Sequence, residues 1–434
     1  MNAINSWMRG CIPQRGTLVG AGKACTLLAL TVVGARSIPF LKRNIPAMGL
    51  GLLLTSVSIG LIRGALSRKN RDPLEMPLNR WAGAESMRVP THSTEEMDRR
   101  LSQYEKANRY LKGLSQEQFT SLLASATPIR IGGWGGDILS LTVEGVTVIV
   151  KKIRLTQEEM QHPKSTRNFF DLPLYYQYGV GSAGFGAWRE LAAHEMTTQW
   201  VLDGECHNFP LMYHARVLPR TPSGQPMFTE EERDEMVAYW DGSEAVGRRL
   251  AAADTGTADV VVCMEQLSES LDAALSFGKK GDLKQLEREL LLVTAFMKAK
   301  GFLHFDAHFH NVLTNGKHVY FADFGLAISK EFELNPEERA FIDKHRDYDR
   351  MYVASELARA AIQMSVDPSA IESAFDQYFS DKPLELMLPS PQDSIVRHYR
   401  PLARVMDTFM RGLREHSKST PYPEPLIDRE LRRL

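Results

Sequence analysis

The stretch from Leu303 to Ala327, LHFDAHFHNVLTNGKHVYFADFGLA, restricts the fold of this 434-residue chain more than any other. Two short apolar runs, Asn311–Thr314 and His318–Ala322, flank the pair Asn315-Gly316. Asn-Gly suits the tight turn of a β-hairpin because both residues tolerate positive φ. Such a hairpin carries Asp306 and Asn311 on the loop that enters it and Asp323 just past its exit. One carboxylate that can take a proton, beside an amide oxygen and a second carboxylate that can hold a hard divalent cation, is the set that phosphoryl transfer from ATP needs.

The upstream chain supplies matching parts. Ile129 and Ile131 lead into Gly132-Gly133-Trp134-Gly135-Gly136, followed by a strand over Ile138–Val143, a Glu144-Gly145 turn and a strand over Val146–Ile153. Glycines let a backbone approach phosphate oxygens and aim N–H groups at them. Lys151 closes the β-branched run VTVIV, and Lys152 points to the opposite face because strand side chains alternate. A helical pattern over Ala187–Leu202 offers Glu190 as the partner of Lys151, with Glu195 as the rival. The run DVVVCM, Asp259–Met264, reads as a buried strand leading into Glu265-Gln266-Leu267, an extended segment suited to an adenine edge. Phe209–Val217 reads as a further strand.

Helices are expected after the capping pattern Ser93–Glu96, over Ser115–Ala126, over Leu283–Lys300 with Gly301 as its stop, and over 336–345, 347–364, 368–379 and 391–414. Residues 156–185 read as an irregular, aromatic-bearing insertion. Residues 219–257 read as a polar, helical excursion, and 415–434 as a loosely held tail.

Charge separates a head from a body. Of the 52 basic residues ten lie in residues 1–71, which hold no Asp or Glu, so the other 42 face all 53 acidic residues, a balance of −11. The spans 18–35 and 44–62 are apolar, and the second runs nineteen residues without a charge, close to a bilayer-crossing length. A basic apolar head points to a membrane or a targeting segment and away from nucleic acid. The expected arrangement is membrane association with the catalytic part in the cytoplasm; a soluble cytoplasmic protein and an organelle-targeted one are the alternatives. Cys11, Cys25, Cys206 and Cys263 form no C-x-x-C pair, which argues against a disulfide frame or a zinc knuckle. The divisions are 1–71 head, 72–127 linker and helices, 128–267, 268–415, and a tail from 416 to 434.

The core stretch allows two chemistries. His304, Asp306, His308 and His310 alternate, and on an extended strand they would share one face, the ligand set of a metallohydrolase. The other reading uses more of the chain. The order of a glycine loop, Lys151 in VIVKKI, Glu190 in WREL, Met264-Glu265, His304-x-Asp306 with Asn311, and Asp323-Phe324-Gly325 resembles the protein-kinase-like superfamily over residues 128–415. It leans toward the atypical and bacterial members of that superfamily. The resemblance implies an α+β, two-lobed fold, with a small antiparallel β lobe and a large helical lobe behind the hydrophobic N-terminal helices. The insertions at 155–185 and 219–257 would enlarge the upper lobe.

It further implies ATP and Mg2+ as cofactors. Asp306 would orient and deprotonate the attacking hydroxyl. Lys151, held by Glu190, would contact phosphates under Gly132, Gly133, Gly135 and Gly136. Asn311 and Asp323 would hold magnesium. Met264 and the backbone of Glu265 and Leu267 would hold adenine, and Asp349 would brace the catalytic loop. Phe305 replaces the usual arginine, and no Ala-Pro-Glu follows Asp323. His308 stands where small-molecule kinases of the aminoglycoside and choline type place a histidine. A serine/threonine protein acceptor is the first expectation. A small-molecule hydroxyl is the second, and a pseudokinase that only binds nucleotide the third.

Overall fold

The computed structural model describes residues 92–130, 136–220, 228–276 and 282–433. The apolar spans 18–35 and 44–62, and Gly132, Gly133 and Gly135, lie outside the described residues. Among the described residues no helix is long and apolar enough to cross a membrane. The fold is α+β.

The DVVVCM run explains the first half of the architecture. It lies in a strand whose Val260, Val261, Val262 and Cys263 are all 0% exposed, so both faces of that strand are covered. In chain order come α1 (Thr94–Gly113), α2 (Gln116–Ala124), β1 (Thr127–Arg130), β2 (Asp137–Val143), β3 (Val146–Leu155), α3 (Gln157–Gln161), α4 (Ala187–Leu202), β4 (Met212–Pro219), α5 (Glu230–Tyr239), α6 (Glu244–Asp254) and β5 (Ala258–Glu265). The strands form one antiparallel sheet in the order β1-β2-β3-β5-β4. Alternation divides β3 and β5 between two layers. Ile153, Leu155, Val260 and Val262 pack with Trp188 and Leu191 of α4. Val148, Val150, Val261 and Cys263 belong to the core on the other face, where α1 lies along β3 and β4. Each fully buried valine contributes about 1.5–3 kcal/mol.

The second half is mainly helical: β6 (Glu269–Ser270), α7 (Leu271–Leu275), α8 (Leu283–Ala299), β7 (Phe302–Leu303), β8 (Val312–Thr314), β9 (Val319–Phe321), β10 (Ile328–Ser329), α9 (Pro336–Lys344), α10 (Tyr348–Gln363), α11 (Ile371–Phe379), α12 (Gln392–Glu415) and α13 (Glu424–Leu431). The central helix, α10, packs against α8 and α12. In α12 the residues Ile395, Tyr399, Leu402, Met406, Phe409 and Leu413 recur every three or four positions and are all buried.

Three expectations change. The tail is docked rather than loose: α13 buries Ile427 and Leu431, and Tyr422 stacks 4.0 Å from His345. The insertion 156–185 is ordered by α3 and by a 3-10 turn over Leu174–Tyr178. It does not simply enlarge the sheet half. Its Phe170, Leu172 and Tyr176 share a core with Met236 of α5, with Trp240 just after it and with Val246 and Leu250 of α6, while Tyr178 packs on Phe305, Tyr348 and Phe409 of the helical half.

Candidate active site

Alternation puts Ile149, Lys151 and Ile153 on one face of β3, and α4 crosses that face with Glu190 in its first turn. Lys151 Nζ donates to Glu190 Oε1 at 2.5 Å and to Asp323 Oδ1 at 3.0 Å, and all three side chains are at most 1% exposed. Burial works against the Lys151 charge, but the carboxylates of Asp323 and Glu190 outweigh it and raise its affinity for the proton. Burial likewise disfavours the Glu190 carboxylate, and Lys151 more than offsets it, leaving Glu190 below its ordinary range. For Asp323 burial wins over Lys151 and pushes the carboxyl up to about 7. Glu195 is exposed and pairs with Lys164 at 2.8 Å, so Glu190 is the lysine's partner.

The segments that enter and leave the hairpin are each held in an unusual backbone at one residue. Phe305 and Asp323 have φ of 62° and 61°, a conformation that side-chain-bearing residues keep only when their surroundings enforce it. Asp349, in the first turn of α10, accepts the backbone N–H of His304 at 2.7 Å and of Phe305 at 2.9 Å. His304 Nε2 bonds Ala322 O at 2.9 Å and its Nδ1 accepts the Asp306 N–H at 3.3 Å. One neutral imidazole, donor at one end and acceptor at the other, thus ties the entering loop to the exit strand. Burial pushes His304 down to about 4, which keeps it neutral.

Asn311 Nδ2 donates to the Asp306 backbone oxygen and to Asp306 Oδ2, both at 3.0 Å. The Ala322 N–H donates to Asn311 O at 2.9 Å, which extends the β8–β9 pairing by one step and sets Asn311 beside the strand that delivers Asp323. Burial raises the Asp306 carboxyl above its ordinary range, against the pull of His308 and Asn311. His308 Nε2 stands 3.6 Å from Asp306 Oδ1.

Three buried oxygens here have no hydrogen-bond partner among the described residues: Asn311 Oδ1, Asp323 Oδ2 and Glu190 Oε2. Buried acceptors are rarely left so. Two of them, an amide oxygen and a carboxylate oxygen, are ligand types that Mg2+ takes, so the residues fit that ion.

Next to them lies a narrow cleft, lined by Ile138 and Ile149 from the sheet, Leu313 and Ala322 from the hairpin, and Met264 and Leu267 from the β5 exit. Glu265 contributes less than expected. Its carboxylate is gripped by Arg100 Nε at 2.8 Å and Nη2 at 2.7 Å, and its N–H is spent on Leu211 O at 2.8 Å. Any contact of Glu265 with a base edge therefore falls to its carbonyl. Gly136 is the described member of the glycine loop. With φ +69°, its added Cβ would sit 2.0 Å from Lys152 O, so the strand pair closes only around glycine.

The four-residue metal set does not form. The left-handed Phe305 breaks the strand that would align it, and His304 turns inward. His308 faces Asp306, while His310 faces Asp272 at 3.5 Å.

Sequence reasoning missed three contributors. Arg100, on a helix ahead of the glycine loop, has no spacing that marks it. His194 lies 3.8 Å from Glu190 and meets the Phe324 ring edge to face at 4.8 Å; its position four residues after Glu190 on α4 is the available signal. The third is the insertion. An added Cβ at Gly184 would lie 2.3 Å from Gly325 O. At Gly179 it would lie 2.8 Å from a Leu326 methyl and 3.3 Å from Asp306 Oδ1, and the Gln177 amide donates to Leu326 O. No family model matches the chain, and no curated protein matches it.

Proposed function

We propose that the chain is a magnesium- and ATP-dependent phosphotransferase that acts on a hydroxyl group. In this reading the five-stranded sheet is the small lobe of a kinase-like arrangement and the helical half is the large lobe. The observation that carries it is the buried Lys151–Glu190–Asp323 cluster, with unpartnered acceptor oxygens on Glu190, Asp323 and Asn311 beside an apolar cleft. Bound ATP would supply the transferable phosphoryl group, with Mg2+ to screen its charge. Lys151 holds phosphate oxygens, Asn311 Oδ1 and Asp323 Oδ2 hold the metal, and Ile138, Ile149 and Leu313 enclose the base. Asp306, fixed by Asn311, accepts the proton of the attacking hydroxyl. All the charged groups needed for transfer are present, which favours an enzyme over a nucleotide-binding pseudokinase.

A serine or threonine of a protein is the acceptor that the resemblance implies. One observation favours the second reading, a small hydroxyl compound. The Gly179 and Gly184 backbone lies against Asp306 and Gly325, narrowing the approach on which a peptide would lie.

Calorimetry with ATP, with and without Mg2+, tests the metal assignment. Asp323→Ala should abolish the gain in affinity that Mg2+ brings to the native chain. Equal magnesium dependence in the two would contradict it.

A further inference from the structure

The geometry points to a second metal site, for one zinc-class divalent ion, held by His92, Glu96 and His318 between the start of α1 and the β8–β9 hairpin. The donor atoms of these three side chains lie within 4.8 Å of one another. The site takes no part in the phosphotransfer chemistry above.

The local sequence accounts for the meeting. The tight Asn315-Gly316 turn returns the chain at His318, and α1 opens with Glu96 three residues after its cap. Ser93–Glu96 reads as a reciprocal capping box, but only half of the box forms. Ser93 accepts the Glu96 N–H, whereas the Glu96 carboxylate turns away to the hairpin. There Oε1 accepts Asn315 Nδ2 at 2.5 Å and the Tyr320 hydroxyl at 3.3 Å. Oε2 faces His318 Nε2 at 3.9 Å. Glu159, Glu232 and Glu338 complete their own boxes, so Glu96 is held by something other than its helix end.

His92 supplies the independent observation. It is 5% exposed and neither ring nitrogen has a hydrogen-bond partner among the described residues, while its ring lies 4.0 Å from that of His318. A buried imidazole without a partner is an uncommon arrangement unless a ligand completes it. Tyr320 stacks on the other side of His92 at 5.4 Å, and Arg100 lies over the Tyr320 ring, 5.1 Å from its centroid. The Arg100 charge is itself matched by Glu265.

His318 has the orientation that metal-binding histidines show. Its Nδ1 bonds the fully buried Glu289 carboxylate at 3.0 Å, which leaves Nε2 for the site. Glu289 is in turn fixed by Asn208 Nδ2 at 2.6 Å. Two imidazoles and one carboxylate suit zinc, at about 2.0–2.2 Å per bond, better than magnesium, which takes oxygen ligands. Three protein ligands leave a fourth tetrahedral position for water.

The test uses the full-length chain, freed of metal by dialysis against a chelator and titrated with Co2+ and then Zn2+. One equivalent of Co2+ should give the visible absorption of a low-coordinate site, and one equivalent of Zn2+ should erase it. His92→Ala removes a ring that makes no hydrogen bond, so the fold should be kept, as a thermal melt checks. It should weaken binding by roughly 100-fold or more. Glu289→Gln should weaken it by roughly 10–100-fold. His398→Ala, at an exposed position on α12, should bind as the native chain does. Absence of stoichiometric binding by the native chain, or unchanged binding in His92→Ala, would overturn the proposal.

Discussion

Two buried cation–carboxylate pairs face opposite sides of the same sheet, and they are built differently. On one side Lys151 serves Glu190 and Asp323, and each of those carboxylates keeps an oxygen without a hydrogen-bond partner among the described residues. On the other side Arg100 spends its guanidinium on both oxygens of Glu265, on the His207 and Phe209 carbonyls and on the Met97 sulfur. Glu265 Oε2 also accepts the Leu211 N–H at 3.1 Å. The Arg100 network is saturated and holds β5 and α1 in place. The Lys151 network is unsaturated in the direction of the cleft. Equal burial therefore does not mean equal purpose; what separates the two is whether the oxygens are already satisfied.

Substitution of each cation tests this contrast most strongly. Arg100→Met leaves a carboxylate buried without its partner and should cost about 3–5 kcal/mol in denaturant unfolding. Lys151→Met should lower kcat by about 10²–10³, the scale for losing one preorganised electrostatic donor. It should destabilise the fold less than Arg100→Met, because Arg100 also ties down the His207 and Phe209 carbonyls. If Lys151→Met proved the more destabilising of the two, the contrast would fail.

Asp349 is a smaller and pH-dependent case. Its two backbone bonds brace the loop that carries Asp306, and Asp349→Asn turns one acceptor into a donor facing an N–H, a cost of about 1–3 kcal/mol. Burial pushes the Asp349 carboxyl up to about 6, against the two N–H groups that hold it down. Between about pH 4 and 6 the folded state keeps a proton that the unfolded chain has lost, so this group's contribution to stability declines as pH rises through that window. The stability gap between native and Asp349→Asn should therefore be wider at pH 5 than at pH 7. A gap that stayed the same from pH 5 to pH 7 would mean that Asp349 is ionised throughout that window.

Glu195→Ala is the smallest change. The Lys164–Glu195 pair is about half exposed on both sides, so the loss should stay within about 1 kcal/mol, with kcat unchanged. A loss of activity would reopen the choice between Glu190 and Glu195.

The legible and illegible parts of the site differ for the same reason. Lys151, Glu190, Asp306, Asn311 and Asp323 sit at offsets set by strand alternation, helix period and a two-residue turn, all of which are written locally. Those patterns place the hairpin and α4 to within a residue or two. Arg100 and Glu265 are 165 residues apart. The meeting of Gly184 with Gly325 and of His92 with His318 likewise depends on how distant elements dock, for which no local period exists. The docking of the tail is hidden for a related reason: α13 is short and charged, and the apolar residues that the tail buries, Tyr422, Ile427 and Leu431, look scattered in the sequence.

The central claim is tested most directly by incubating the purified full-length chain with Mg2+ and ATP labelled at the γ-phosphate, together with a mixed panel of proteins and hydroxyl-bearing metabolites. The native chain should transfer label to a hydroxyl acceptor. Asp306→Asn should bind ATP as the native chain does but transfer label about 10²–10⁴-fold more slowly. Transfer at the native rate in Asp306→Asn, or none from the native chain to any member of the panel, would contradict the account.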